Sequence, residues 1–67
     1  MVNTGKVTNV VSEGNKTIVD IAFMDKTTKT VVLQDEDINK YKDKYVICGI
    51  DSDNNTKILE IVGDDLE

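Results

Sequence analysis

The chain has 67 residues, a formal net charge of −5, 13 acidic residues against eight lysines, one cysteine and no histidine. A chain this short forms one domain and buries only about 60% of the surface that its unfolded state exposes. One cysteine and no histidine exclude an internal disulfide and a structural zinc site, while 39% hydrophobic and 31% charged residues are typical of a folded domain.

The first residues and the lengths of the apolar runs indicate the cellular location of the chain. No run of about 18 apolar residues is present, so the sequence predicts no membrane span. The opening MVNTGKV lacks the continuous apolar stretch of a signal peptide. We therefore predict a single domain over residues 1–65, located in the cytoplasm, and we interpret Leu66 and Glu67 as the remnant of an expression tag.

The first part of the chain predicts two strands joined by a tight turn, because Val, Ile and Thr dominate it. The first strand covers roughly Lys6–Ser12 and the second roughly Thr17–Asp25, with a Gly-Asn turn signal at 13–15 between them. The valines of the first strand do not alternate strictly. Their spacing predicts a bulge or a sharp coil near Asn9.

A loop and a short helical segment flank the third strand. The polar stretch 25–29 predicts a hairpin loop, and Thr30–Gln34 predicts the strand itself. In the following DEDINKYKDK, acidic residues precede lysines, which suits a helix dipole, and Asp35 is the expected cap. We expect one or two helical turns with Ile38 and Tyr41 on the face that packs against the sheet.

Two further strands are predicted at roughly Tyr45–Asp51 and Thr56–Val62, with DSDNN (51–55) between them. The alternating Asp and Asn residues of this stretch match the first ligands of a calcium loop. However, Thr56 stands where such a loop needs Gly, and Val62 stands where it needs a bidentate Glu. Asp, Ser and Asn also suit turns, because their side chains bond to nearby backbone groups. We therefore predict a turn and no metal site.

Alternation along each strand assigns an inner and an outer face, and Asp20 marks the outer face of the second strand. The predicted core consists of Val7, Val10, Val19, Ile21, Phe23, Val31, Leu33, Ile38, Val46, Cys48, Ile50, Leu59 and Ile61. The outer face keeps the apolar residues Ile18, Ala22, Met24, Val32, Ile58 and Val62. The curvature of a small barrel would partly cover such residues, and a binding or self-association patch is the alternative.

Five short strands without proline favour a closed or nearly closed barrel, since closure removes exposed edges. We predict an all-β fold: a small five-stranded barrel with a short helical segment between strands three and four. In this order the chain resembles the OB-fold. GKVTNVV (5–11) looks like its opening strand, KYVICGID (44–51) is similar to its fourth strand with a Gly that allows bending, and TKILEI (56–61) looks like its closing strand. An SH3-like barrel is the alternative.

The resemblance implies a location for a ligand rather than its identity. In OB-fold proteins, ligands usually lie across strands two and three and the neighbouring loops. Carried over to this chain, that surface is flanked by the loops 12–16 and 51–56. The candidate partner-binding face then comprises Ile18, Asp20, Ala22, Met24, Thr30 and Val32.

The composition argues against two other classes of function. Nucleic-acid binding needs a basic groove with exposed aromatic residues, whereas lysines are outnumbered here and Tyr45 is the best-placed residue for stacking. The chain has no histidine, the residue that most often serves in acid–base catalysis near neutral pH. Cys48 lies within an apolar strand, which is typical of an inert core cysteine. We predict no catalytic, cofactor-binding or metal-binding residue.

The sequence thus predicts a small, acidic, non-enzymatic binding module without a cofactor. Its expected partner is a protein or a second copy of the chain, and no membrane partner is expected. The alternative is single-stranded nucleic-acid binding through the face of strands two and three, which the net charge disfavours.

Overall fold

The computed structural model describes residues 1–65, so the interpretation of Leu66 and Glu67 as a tag remnant lies outside the described residues. Five antiparallel strands form one sheet, in the order β3-β2-β1-β4-β5, that curls into a half-barrel. The elements in chain order are β1 (Val2–Glu13), β2 (Lys16–Phe23), β3 (Thr28–Gln34), a 3-10 helix (Ile38–Lys40), β4 (Tyr45–Ile50) and β5 (Thr56–Gly63). The predicted all-β, small-barrel class is confirmed. Within residues 1–65, no helix is long and apolar enough to cross a bilayer.

Strand β1 is shared between two neighbours. Residues 2–6 pair with β4, and residues 5–13 pair with β2. The two ladders overlap at Gly5 and Lys6, and Gly5 lies opposite both Phe23 and Val46. A Cβ atom on Gly5 would lie 2.6 Å from Cγ2 of Ile21 and 2.9 Å from the carbonyl oxygen of Ala22. Only glycine therefore fits at position 5, where β1 pairs with both neighbouring strands.

A bulge lies at Thr8, as the irregular valine spacing predicts. Val7 pairs with Ile21 and the next paired residue, Asn9, lies opposite Asp20, so Thr8 is an extra residue in β1. Such an insertion reverses the side on which later side chains point. Val7 is buried before the bulge, and Val10 packs against the core after it.

Both hairpins of the first three strands close with residues at positive φ. Gly14, the first of the two residues between β1 and β2, has φ +63°, a conformation that glycine adopts without strain. Between β2 and β3, Lys26 has φ +71°, and the Phe23 N–H donates to the Thr27 carbonyl at 2.9 Å. This loop begins earlier than predicted, because β2 ends at Phe23 rather than Asp25.

The segment after β3 forms a single 3-10 turn, and its cap differs from the predicted one. Asp37 is the N-cap, with Oδ1 accepting the Asn39 N–H at 2.9 Å, whereas Asp35 adopts φ +50° before the turn begins. The prediction of Asp35 as the cap is therefore wrong. Tyr41 is buried, which confirms that this segment packs onto the barrel, and Ile38 is half-buried.

The core confirms most of the predicted inner residues. The buried apolar residues are Val7, Val19, Ile21, Phe23, Val31, Tyr41, Val46 and Cys48, and the half-buried residues packed on them are Val10, Leu33, Ile58 and Ile61. Ile50 is half-buried at the end of β4. Thr17 is also buried, and its hydroxyl donates to the Glu36 carbonyl at 2.7 Å. This bond ties β2 to the segment before the 3-10 turn.

Two core assignments in β5 are wrong. Leu59, predicted inside, is 55% exposed, and Ile58, predicted outside, packs on the core. The cause is a second bulge: Cys48 lies opposite Ile58 and Ile47 lies opposite Glu60, so Leu59 is the extra residue. Its side chain lies over Gly49, where an added Cβ would be 3.2 Å from Leu59 Cδ1.

Candidate functional site

The candidate face is the outer side of the β2–β3 ladder, where residues lie opposite one another in rows. Ile18 lies opposite Val32, and Asp20 lies opposite Thr30. Ala22 lies opposite Thr28. Directly opposed side chains on one face of a sheet lie within contact range. The structure therefore brings Ile18, Asp20, Thr30 and Val32 together in two adjacent rows.

The first row is apolar and reaches into β1. Val11 pairs with Ile18 on one side, and Val32 pairs with Ile18 on the other. Val11 is 40% exposed, Val32 is 53% exposed and Ile18 is half-buried between them. Val11 was not among the predicted site residues. The bulge at Thr8 turns it outward, and the irregular valine spacing was the signal that could have identified it.

The second row is polar and internally satisfied. Thr30 Oγ1 donates to Asp20 Oδ1 at 2.7 Å, and Thr8 Oγ1 donates to the Asp20 carbonyl at 3.3 Å. The Asp20 carboxylate is thus held by the neighbouring strand. This row separates the apolar row from the other end of the face.

A pocket of about 200 Å³ lies at that other end, and the predicted residues Ala22 and Met24 line it. The remaining lining residues are Thr4, Gly5, Lys6, Phe23 and Tyr45. Met24 is 81% exposed at the pocket edge. Lys6 lies opposite Tyr45 in the β1–β4 ladder, and its Nζ is 5.5 Å from the centroid of the tyrosine ring. This distance is within the range of a cation–π contact.

Other lysines are engaged near the 3-10 turn. Lys40 Nζ pairs with Glu36 Oε1 at 3.0 Å, and Lys44 pairs with Asp64. Glu36 Oε1 also accepts the Tyr41 hydroxyl at 3.0 Å. The hydrogen bond from Lys40, reinforced by Tyr41, lowers the pKa of Glu36, while burial and the Glu36 contact raise the pKa of Tyr41.

The DSDNN stretch turns the chain between β4 and β5, as predicted. Asp51 Oδ1 accepts the N–H groups of Asp53 at 2.9 Å and Asn55 at 3.0 Å, and Asn54 adopts φ +66°. These are the side-chain and backbone roles that Asp and Asn take in turns. The loop adjoins Met1, whose carbonyl accepts the Ile50 N–H at 2.8 Å.

Cys48 lies fully inside the core. Burial raises the pKa of its thiol, so the group is held in the neutral form that is the poorer nucleophile. Its placement agrees with the inward position that alternation predicts.

Comparison with models of known families, with curated proteins and with solved structures finds no match to this chain. The candidate site is therefore defined by its geometry alone. It comprises an apolar row of Val11, Ile18 and Val32, a polar row of Asp20 and Thr30, and a pocket beside Lys6 and Tyr45.

Proposed function

We propose that this protein is a non-enzymatic binding module that recognises a protein partner through the outer face of β1, β2 and β3. The observation that carries the proposal is the apolar row of Val11, Ile18 and Val32, together with the exposed Met24 beyond it. An exposed apolar strip next to polar residues is typical of protein-interaction surfaces.

We also propose that the half-barrel is of the OB type rather than SH3-like. Strands β1, β2 and β3 follow one another through hairpins, and β4 returns through a longer connection to lie beside β1. This spatial order of 4-1-2-3 is the Greek key, and the OB-fold is a partly open, five-stranded Greek-key barrel. The turn between β3 and β4 supports the same assignment.

A comparison of surface variants tests the protein-binding proposal. The double variant Met24→Lys/Val32→Lys places two charges on the candidate face. Its matched control, Leu59→Lys/Val62→Lys, adds the same charge at two other exposed apolar positions, 55% and 37% exposed. Each protein is immobilised and exposed to native lysate, and circular dichroism checks that each is folded.

The expected result is a partner retained by the unaltered protein and the control but lost from the Met24→Lys/Val32→Lys variant. A desolvated charge in the centre of an interface costs several kcal/mol, which is enough to remove binding. Equal recovery of every partner by both double variants would refute the candidate face.

Single-stranded nucleic-acid binding is the second candidate, and the observation that favours it is that a lysine, Lys6, and an aromatic residue, Tyr45, line the same pocket. The formal charge of −5 opposes it. Binding to an oligothymidine at low salt that falls steeply as salt is added would support this function. The absence of binding at low salt would eliminate it.

A further inference from the structure

The pocket between β1, β2 and β4 has an apolar lining and one lysine, Lys6, at its rim. Ala22, Phe23 and Met24 contribute the apolar side, and Lys6 and Tyr45 contribute the other. Its volume of about 200 Å³ exceeds the ~150 Å³ that accommodates a benzene ring. One aromatic or large aliphatic side chain therefore fits.

The ammonium of Lys6 differs from those of two other lysines. Lys40 and Lys44 each contact a carboxylate. Among the residues that the structure describes, no carboxylate lies within 4 Å of Lys6 Nζ, and its contact is the face of the Tyr45 ring. Lys6 thus carries an unneutralised charge beside the pocket, in a chain whose acidic residues outnumber its lysines.

We propose that this pocket receives one large apolar side chain of a protein partner, and that Lys6 pairs with a carboxylate directly beside that side chain. This inference rests on the proposed function and specifies the chemistry of the partner. The apolar group would lie against Met24 and Ala22, while the carboxylate would take the position next to Lys6. The fit is one of charge and size: a lone cation at the rim of an apolar pocket favours an anion attached to an apolar group.

The same geometry disfavours a nucleobase in this position. A base stacks on an open aromatic face, whereas Lys6 Nζ lies over the ring of Tyr45 and competes for that face. The net negative charge of the protein also repels the phosphodiester backbone of a nucleic acid more strongly than a single carboxylate, because the repulsion increases with the charge of the ligand.

Two small probes that differ in one group test the proposal. N-acetylphenylalanine carries an aromatic ring beside a carboxylate, and N-acetylphenylalaninamide carries the same ring beside a neutral amide. Each is titrated into isotopically labelled protein at low salt, with the amide signals of Lys6 and Tyr45 and the methyl signal of Met24 as reporters. A probe of this size binds with a Kd in roughly the millimolar range.

We expect both probes to shift the reporter signals, with the carboxylate binding about two- to fivefold more tightly than the amide, as a partly exposed ion pair would produce. The variant Lys6→Met keeps the apolar stem and removes the charge, so the two probes should bind it equally. Lys57→Met removes one positive charge on β5 and is the control in which the preference should remain.

Other outcomes would overturn the proposal. Equal binding of the two probes to the unaltered protein, or a preference that survives in Lys6→Met, would refute the role of Lys6. No shift up to the solubility limit of the probes would refute the pocket as a site. Stronger shifts of the same signals with a thymidine dinucleotide would assign it to nucleic acid instead.

The protein-binding face and the pocket are refuted by different results. If the probes do not bind but Met24→Lys/Val32→Lys still loses its partner from lysate, the partner uses the face without this anchor, and only the pocket inference is refuted. If the probes bind as expected and the lysate comparison shows no difference, the proposed protein-binding face is refuted, and the pocket remains only as a site for a small apolar carboxylate that is not part of a protein partner.

Discussion

The β2–β3 ladder and the β4–β5 ladder are built from similar residues but differ in regularity. In the β2–β3 ladder, each residue of β2 from Lys16 to Ala22 lies opposite one residue of β3, without a register shift. The β4–β5 ladder shifts register twice, and Leu59 and Val62 are left as extra residues of β5. Side-chain alternation is a reliable guide to burial only while the ladder is regular, because each bulge exchanges the inner and outer sides.

The largest expected contrast between these two ladders is at the core. Ile21, fully buried in β2, is expected to lose about 2–5 kcal/mol of folding free energy when changed to Ala. Leu59→Ala in β5 should cost less than about 1 kcal/mol, because this side chain is 55% exposed. Urea unfolding of the two variants measures both values. A Leu59→Ala cost as large as that of Ile21→Ala would contradict the bulge.

The two glycines of the curved strands provide the next contrast. Gly5→Ala places a Cβ 2.6 Å from Ile21 and 2.9 Å from backbone, so the strands must move apart. We expect a cost near or above the usual 1–3 kcal/mol of overpacking. Gly49→Ala meets only the flexible, exposed end of Leu59, at 3.2 Å, and should cost less than about 1 kcal/mol.

Thermal unfolding of both glycine variants orders the two costs. Equal melting temperatures would mean that the sheet yields at Gly5 as easily as a surface side chain yields at Gly49. That result would contradict the account of Gly5 as the residue that lets β1 pair with two strands.

A smaller contrast concerns two threonines of neighbouring strands. Thr17 is buried and donates to the Glu36 carbonyl, whereas Thr30 is exposed and donates to Asp20. Thr17→Val should cost about 1 kcal/mol or more, since it leaves the carbonyl without this donor, and Thr30→Val should cost less because water replaces the lost bond. Urea midpoints measure the difference, and a larger loss for Thr30→Val would contradict this reasoning.

These contrasts follow the limits of sequence-based prediction for this chain. The positions of the five strands along the chain, the turn at 13–15, the bulge near Asn9 and the inner residues of β2 all follow from local patterns. The bulge at Leu59 does not follow from a local pattern. Leu59, Glu60 and Ile61 alternate between apolar and polar residues as in a regular strand, and only the pairing with β4 determines which residue is extra.

The candidate site also has one part that local sequence patterns predict and one part that they do not. Ile18, Asp20, Thr30 and Val32 share a face through simple alternation, and the structure places them in adjacent rows. The pocket beside Lys6 depends on β1 pairing with both β2 and β4, a long-range arrangement that no local pattern encodes. The same holds for the contact between Lys6 and Tyr45.

The segment that connects β3 to β4 is expected to give the smallest change in stability, and this change depends on pH. Glu36 lies between β3 and the 3-10 turn, and the hydrogen bonds from Lys40 and Tyr41 lower its pKa from an ordinary value of 4.5. The folded state therefore favours the ionised carboxylate more than the unfolded state does. This contribution to stability is fully present above pH 4.5 and is lost as the pH falls through the lower pKa of the folded protein.

Glu36→Gln tests this contribution, because glutamine can still accept a hydrogen bond but carries no charge. The variant should be slightly less stable than the unaltered protein at neutral pH, and the difference should shrink as the solution is acidified below the ordinary glutamate pKa of 4.5. The Lys40→Met variant, which removes the ammonium that donates to the Glu36 carboxylate, should reduce the pH dependence while leaving the Tyr41 bond in place. A stability difference between Glu36→Gln and the unaltered protein that stays constant across this pH range would show that the charge of Glu36 does not strengthen the connection between the two ladders.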